Sequence, residues 1–168
     1  FEYYSEDAFL SGKLGYQAVN GAATKGVYAF LKHFALNDQE THRDHLGIVT
    51  WADEQTIREI YLKAFELVIV DNNVTINYNK GTQNEDGTTT YTFTTVEVPA
   101  ATAIMSSYNR IGPTWAGGNY DLITEVLRGE WGFNGFVLTD YEVATYMFTG
   151  QCLAAGGDAK LKTGDLAG

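Results

Sequence analysis

The stretch GFVLTDY, residues 135–141, ends a short apolar run on an acid. Residues 136–138 predict a buried strand, and Asp140 follows them after a single threonine. A carboxylate in this position has two common uses. It caps a following helix, or it is a functional group held at the carboxyl end of a strand. The rest of the chain offers features that separate these two interpretations.

Two earlier apolar runs also end on polar side chains. VYAFLKHF, residues 27–34, predicts a buried strand with Lys32 and His33 near its end. ATAIMSSYN, residues 101–109, predicts another, which runs into a serine, Tyr108 and an asparagine. Because parallel strands present their carboxyl ends at one edge of a sheet, we expect these side chains and the acid of the first stretch to lie together.

Helical spacing of apolar residues separates the predicted strands. The predicted helices cover residues 5–24, a segment opened by a capping box of Thr50 and Asp53, residues 120–131 and residues 143–155. Three strand–loop–helix units predict an α/β fold with a parallel sheet and right-handed crossovers. A β/α barrel and a doubly wound sheet both bind ligands at the carboxyl ends of their strands.

Residues 71–99 have a different pattern. VTINYN and TTTYTFTTVEV alternate polar and apolar residues in period two, on either side of the turn-rich KGTQNEDG. This pattern predicts a β-hairpin. Because it interrupts an otherwise alternating β/α sequence, we interpret it as an insertion within a single domain that spans residues 1–168.

The composition narrows the classes of partner and cofactor. The 168 residues are 45% hydrophobic, enough for one sizeable core, and 21 acids against 11 Lys and Arg give a net charge of -10. This charge argues against a nucleic-acid or anionic-membrane partner. Glycine-rich nucleotide fingerprints are absent, and the single cysteine, Cys152, excludes an internal disulfide and a cysteine-ligated zinc. We predict no cofactor, and no apolar run reaches the ~20 residues of a membrane helix.

Each candidate side chain also has an ordinary structural interpretation. Asp140 alone caps the helix predicted after it as readily as it serves a site. Lys32 is either solvated at the surface or directed into a cavity, and His33 is equally compatible with a hydrogen-bonded core histidine. The three strand ends together favour the functional interpretation.

The loop after the first predicted strand carries two closely spaced histidines. His42 and His45 lie three residues apart in ETHRDH, with Glu40 and Asp44 beside them. Two histidines on an irregular loop are weak evidence for a metal, because the charged residues of such a loop pair readily with Arg43. We predict no metal ligands.

Three stretches resemble glycoside hydrolase family 3, the β-glucosidase family. They are FEYYSEDAFLSG at residues 1–12, KHFALNDQETHRD at residues 32–44, and the run from MSSYNR to GFVLTDY at residues 105–141. Together with their surroundings they cover nearly the whole chain outside the hairpin. The resemblance implies a partial (β/α)8 TIM-type barrel with a β-hairpin insertion, because a complete barrel needs about 250 residues. It also implies retaining cleavage of terminal β-linked sugars.

The resemblance assigns the central roles by position. The acid of the family's strand motif is the nucleophile, and it falls on Asp140. The family's K-H-F pair binds sugar hydroxyls, and it falls on Lys32 and His33. A nearby cation such as Lys32 would favour the ionised form that a nucleophile needs. Hydrogen bonds from both side chains to hydroxyls would strengthen in the transition state.

The remaining implied contacts line the same subsite. The Met and Tyr of the family's M-S-x-Y motif fall on Met105 and Tyr108. A Trp often follows the nucleophile in the family, and Tyr141 stands there in this chain. The family's SEDP reads SEDA at residues 5–8, a minor departure.

Two family features are expected outside the chain, which begins with Phe rather than Met and reads as a piece of a longer protein. They are a sugar-binding arginine that would precede Phe1 and a general acid/base from a second domain. The His–Asp loop of the N-acetylglucosaminidase branch has no counterpart in ALNDQETHRD, so a β-glucosidase or a β-xylosidase is favoured. A non-catalytic sugar-binding or structural fragment is the alternative. The predicted partners are a β-glucoside or oligosaccharide and the remaining segments of the parent protein.

Overall fold

The computed structural model describes residues 3–43, 47–142 and 145–162. The strands of these residues are β1 Phe30–Phe34, β2 Val49–Thr50, β3 Asn73–Gln83, β4 Thr89–Pro99, β5 Ala103–Ser106, β6 Arg110–Ile111, β7 Thr114–Trp115 and β8 Phe136–Leu138. The helices are α1 Ala8–Ala23, α2 Glu54–Thr56, α3 Lys63–Ile69 and α4 Thr149–Ala154, with π-helical segments at Ile57–Tyr61 and Asp121–Glu130 and a 3-10 turn at Ala116–Gly118.

The three strands predicted to end on polar side chains form one parallel sheet. Its order is β1-β5-β8, with Phe30 beside Ala103 and Ala103 beside Phe136. The prediction of an α/β fold with three parallel strands is therefore confirmed. Among the described residues β1 pairs only with β5, so the sheet does not close into a barrel within this part of the chain.

The outer edge of β8 is covered by a later segment of the chain. Ala159 forms a parallel bridge with Leu138, and its carbonyl accepts a hydrogen bond of 3.1 Å from the amide of Thr139. Farther along, the amide of Glu142 donates to the carbonyl of Leu161 at 2.8 Å. The segment after α4 therefore runs beside the strand that leads to Asp140.

Helices cover one face of the sheet. Ile104 and Val137 are buried on that face, and Ile123 and Leu127 of the π-helical segment Asp121–Glu130 belong to the same apolar core. The helices α1 and α3 pack closely at Gly12, where a Cβ would lie 2.7 Å from Cδ1 of Leu67. Glycine is required at that position because any side chain would force the two helices apart.

Two predicted helix starts need correction. The capping box assigned to Thr50 and Asp53 is a simpler cap formed by Asp53 alone. Its side chain accepts a hydrogen bond from the amide of Thr56 at 2.8 Å, and α2 begins at Glu54, directly after Asp53. The helix predicted over residues 143–155 is α4, which begins only at Thr149. Residues 143 and 144 lie outside the described residues.

A second, smaller sheet follows the parallel one. It has the order β2-β6-β7, in which β2 is parallel to β6 and β7 is antiparallel to β6. These short strands connect the loop after β1 with the loop after β5, so they brace two of the strand ends that the sequence predicted to meet.

The hairpin predicted over residues 71–99 is formed by β3 and β4, which pair without irregularity from Asn73–Pro99 to Gln83–Thr89. It joins α3 to the amino end of β5, at the edge opposite the polar strand ends. Val74 is buried in the core, and Ile76 and Val98 pack against it. Beyond these residues the hairpin projects into solvent.

None of the helices in the described part of the chain has the length and apolar character that a membrane span requires.

Candidate functional site

Asp140 lies two residues beyond the end of β8, directly after Thr139, and is 8% exposed. Its amide donates to the carbonyl of Ser106 at 3.1 Å, and its Oδ1 accepts from the amide of Tyr141 at 2.7 Å. The helix-capping interpretation is wrong, because α4 starts nine residues farther on and no side chain caps it. The backbone of the neighbouring strand therefore anchors the acid at the end of the sheet.

The side chains of His33 and Arg43 face Oδ2, the other carboxylate oxygen of Asp140. Nε2 of His33 lies 3.5 Å from Oδ2 of Asp140, and Nη1 of Arg43 lies 3.6 Å from the same atom. Oδ2 is buried and accepts no hydrogen bond from the described residues. Asp140 thus has one oxygen fixed by the backbone and one oxygen facing nitrogen groups at longer range.

Arg43 is the residue that sequence reasoning missed. Its guanidinium contacts Oε2 of Glu40 at 3.0 Å, donates to Oδ1 of Asn37 at 3.0 Å, and stacks 4.9 Å from the ring centroid of Tyr108. These contacts define its orientation towards Asp140. The available signal is the Glu40–Arg43 spacing in the loop after β1, which on the sequence alone indicates only that charged loop residues pair with each other.

Tyr3 joins both neighbours of Asp140 into one network. Its hydroxyl accepts from Nδ2 of Asn37 at 2.9 Å, donates to the carbonyl of Asn37 at 3.2 Å, and lies 3.5 Å from Nδ1 of His33. Burial is the main cause that raises the pKa of Tyr3, so its hydroxyl stays protonated at neutral pH. One hydroxyl therefore supports His33 directly and Arg43 through Asn37.

The two predicted tyrosines meet at the same end of the sheet. The hydroxyl of Tyr108 donates to the carbonyl of Tyr141 at 2.6 Å. Tyr146 strengthens this side, since its hydroxyl lies 2.9 Å from the carbonyl of Tyr108 and 3.1 Å from that of Arg43. Tyr141 itself is 38% exposed, so its ring reaches solvent.

Lys32 and Met105 lie on strands of the parallel sheet. Strand alternation and register place both on the face that carries Phe30 and Phe136, whose rings meet edge to face at 6.3 Å. Lys32 is exposed there and lines, with Tyr3, a cavity of about 280 Å³ between β1, α1 and α3. Met105 is half-buried.

The loop with the paired histidines is only partly described. His42 has a positive φ of 60°, whereas Asp44 and His45 lie outside the described residues. Among the described residues, no group of three His, Cys, Asp or Glu side chains is arranged to hold a metal ion.

The arrangement brings a buried carboxylate and two nitrogen-bearing side chains together at the carboxyl end of the sheet. A carboxylate is mounted on a rigid strand end, and an imidazole and a guanidinium lie within 4 Å of its outer oxygen. Such donors can bind hydroxyl groups and can stabilise charge that develops on a bound substrate. Aromatic rings from Tyr108 and Tyr141 border the same edge.

The chain is similar to proteins of known classification. The family model described as "Glycosyl hydrolase family 3 N terminal domain" matches residues 75–165, more than half of the chain. A β-glucosidase of Ruminococcus albus is 35% identical over 84% of this chain and 12% of its own length. An exo-alpha-(1->6)-L-arabinopyranosidase of Bifidobacterium longum is 37% identical over 84% of this chain and 15% of its own length.

A solved structure gives the same result. The structure of β-glucosidase 3B from Thermotoga neapolitana in complex with glucose has a TM-score of 0.71 and 33% identity, over 95% of this chain and 18% of that one. The chain therefore spans less than a fifth of the length of these relatives.

Proposed function

The chain belongs to glycosyl hydrolase family 3, and we propose that its parent protein is a retaining β-glucosidase in which Asp140 is the nucleophile. In this reaction the carboxylate attacks the anomeric carbon of a terminal β-linked sugar, and the glycosidic bond to the leaving oxygen breaks. A second carboxyl group protonates the leaving oxygen and then activates the water that releases the sugar.

The observation that carries the proposal is the environment of Asp140. The acid is held at the carboxyl end of a strand of the parallel sheet, where β/α enzymes have their active sites. Its Oδ1 is anchored by the backbone amide of Tyr141, whereas Oδ2 is directed towards His33 and Arg43. This leaves one oxygen oriented for attack.

The same geometry supports a proposal for the sugar contacts. We infer that His33 and Arg43 bind hydroxyls of the terminal sugar, together with Lys32 on the open face of the sheet. Met105, Tyr108 and Tyr141 would form the apolar and aromatic wall of this subsite. Arginine suits such a role because its planar fork donates several hydrogen bonds in a fixed direction.

We infer that the parallel sheet is part of a (β/α)8 barrel and that the hairpin of residues 71–99 is an insertion within this domain. The exposed Phe30 and Phe136 would then be covered by further barrel strands from the parent protein. The second carboxyl group would come from outside the chain, about 5–5.5 Å from Asp140 in a retaining enzyme. Since general acid catalysis contributes about 10²–10⁴-fold, the isolated 168 residues should show no useful turnover.

The test is covalent labelling of the parent polypeptide with a 2-deoxy-2-fluoro glucoside that carries a good leaving group. The peptide containing Asp140 should gain the mass of the fluoroglucosyl group, and Asp140→Asn should abolish this labelling. A label on another carboxylate would refute the assignment of the nucleophile. No label together with full hydrolysis would refute the covalent mechanism.

The glycone is best decided by turnover of aryl β-glucosides, β-xylosides and α-L-arabinopyranosides. The last substrate belongs in the panel because the Bifidobacterium longum relative is named an arabinopyranosidase. We expect the β-glucoside to be preferred, since most of the relatives found carry the β-glucosidase name.

A further inference from the structure

The hairpin carries two large aromatic side chains that do not belong to the apolar core. Tyr91 and Phe93 on β4 are each 70% exposed, the highest exposure of any tyrosine or phenylalanine of the hairpin. They are two residues apart in a regular strand, so they lie on the same face. We call this face, which carries β4 residues 89, 91, 93 and 95 and β3 residues 77, 79, 81 and 83, the outer face of the hairpin.

The ring of Tyr91 lies against the opposite strand. Its cross-strand partner is Gly81, where a Cβ would lie 3.3 Å from Cε1 and 3.7 Å from Cδ1 of Tyr91. One side of the ring therefore covers the glycine backbone, a contact known to support β-ribbons. Because the side chain is 70% exposed, the other side of the ring remains open to solvent as a flat platform.

Phe93 extends this platform along the strand. Residues two apart in an antiparallel strand are separated by about 6.8 Å, so a single oligosaccharide can contact both rings. The cross-strand partner of Phe93 is Asn79, and Gln83 lies across from Thr89. The two rings are thus surrounded by amide and hydroxyl groups.

The composition of the outer face indicates the kind of ligand. It has no cation and no aliphatic side chain, whereas Lys80, Ile76 and Val96 all lie on the opposite face. Nucleic acid requires cations, and a stable protein interface buries about 800 Å² per partner around an apolar centre. A pyranose ring has an apolar C–H face that stacks on aromatic rings and hydroxyl groups that pair with amides.

We propose that the outer face of the hairpin, built on Tyr91 and Phe93, is a second binding surface for neutral β-glycan chains, separate from the site at Asp140. The proposal rests on the proposed function only for the linkage of the glycan. The hairpin enters the sheet at the amino end of β5, whereas Asp140 lies at the carboxyl edge. Binding there would hold a polymeric substrate near the enzyme without taking part in bond cleavage.

Binding is measured with the parent polypeptide by affinity electrophoresis and calorimetry on soluble β-glucans and cello-oligosaccharides. The double variant Tyr91→Ala, Phe93→Ala should weaken glycan affinity at least about tenfold, as expected for the loss of two stacking rings. Turnover of a small aryl glucoside should stay at the wild-type level. Tyr78→Ala removes an aromatic ring from the opposite face and is the matched control, so it should leave affinity unchanged.

A second measurement does not depend on the folding of a variant. In the wild-type protein, glycan titration should shift the aromatic NMR signals of Tyr91 and Phe93 and leave those of Tyr78 in place. The catalytically impaired Asp140→Asn should still bind glycan, so failure of this surface and failure of the proposed nucleophile give different results.

Three results would overturn the proposal. They are wild-type protein that binds no β-glucan, equal affinity in the wild type and the double variant, and an equal loss of affinity in Tyr78→Ala. A change of oligomeric state in the double variant, with no change in glycan affinity, would instead identify the outer face as a protein interface.

Discussion

The two ends of strand β5 lead to opposite kinds of surface. At its carboxyl end, polar side chains are buried and paired: His33 and Asp140 are 6% and 8% exposed. At its amino end the hairpin carries aromatic side chains into solvent, with Tyr91 and Phe93 each 70% exposed. Folded proteins usually bury large aromatic side chains and expose charged ones, so both regions depart from the usual distribution.

The difference shows where the chain departs from what stability alone favours. Burying a carboxylate is costly unless it is paired, so the network of Tyr3, Asn37 and Arg43 around Asp140 offsets that cost with directed contacts. Exposing large rings forgoes hydrophobic stabilisation and needs a separate reason. The first region is buried and held by directed contacts, whereas the second is exposed to solvent, which suits chemistry at one end and capture of a chain at the other.

The largest expected effect comes from removing the charge at the buried end. In the parent polypeptide, Asp140→Asn should lower kcat by at least about 10³-fold, as found for nucleophiles of other hydrolases, because an amide cannot form the glycosyl ester. The melting temperature should change little, since Asn can still accept the hydrogen bond from the amide of Tyr141.

The control for this variant is Asp121→Asn, which changes an exposed acid in the segment Asp121–Glu130 and should retain turnover. Near wild-type kcat in Asp140→Asn would show that the buried acid is structural, and the contrast between the two ends of β5 would then lose its functional meaning.

Two shortened variants distinguish what the base of the hairpin and what its projecting part contribute to the free energy of unfolding. Deleting residues 73–96 should lower the free energy of unfolding by about 1–3 kcal/mol, because Val74 leaves the core. Replacing residues 78–94 by Asn-Gly, between the paired Asn77 and Thr95, keeps that base and should cost no more than about 0.5 kcal/mol.

Denaturant unfolding of the parent polypeptide gives these free energies, and turnover of an aryl glucoside should stay nearly unchanged in both shortened variants. A large loss of turnover with unaltered folding would mean that the hairpin contributes to the active site rather than standing apart from it.

A hydroxyl deletion tests how far the buried network acts as a unit. Tyr3→Phe removes the group that contacts Asn37 and His33, and the loss of one such hydrogen bond should lower kcat/KM roughly tenfold, or about 1.4 kcal/mol. The effect should fall on KM as well as kcat, because His33 and Arg43 are proposed to bind the sugar.

Tyr4→Phe is the matched control, since Tyr4 is the neighbouring residue and is 58% exposed. Equal kcat/KM values for the two variants would limit the network to the direct contacts of Asp140.

The smallest expected effect is a pH response at the turn of the hairpin. Hydrogen bonds from the hydroxyl and amide of Thr88 lower the pKa of Asp86. A lowered pKa means that the ionised acid stabilises the turn above the ordinary aspartate pKa, and that this contribution is lost as pH falls through the lower folded value. Protection of the Thr88 amide, measured by NMR, should therefore decrease in acid and become independent of pH in Asp86→Asn.

Much of the fold is readable from local pattern alone. Apolar runs of strand length predicted β1, β5 and β8, and period-two alternation predicted the hairpin within two residues of its observed ends. These features depend on neighbours along the chain, so the sequence carries them directly. The motifs around KHF and GFVLTDY also sufficed for the family, which the family match over residues 75–165 and a relative aligned over 97% of the chain confirm.

The surroundings of Asp140 were decided by tertiary structure. Its partners come from residues 97 and 107 positions earlier in the chain, and nothing in the local spacing of Arg43 or His33 reveals which oxygen they face. The sequence alone also left the capping interpretation open, because only the folded chain shows that α4 starts at Thr149. The sequence by itself determined the three parallel strands, the hairpin and the acid that follows the last of these strands. The packing of distant loops decided what surrounds that acid, because contact between residues far apart in the chain depends on the whole fold.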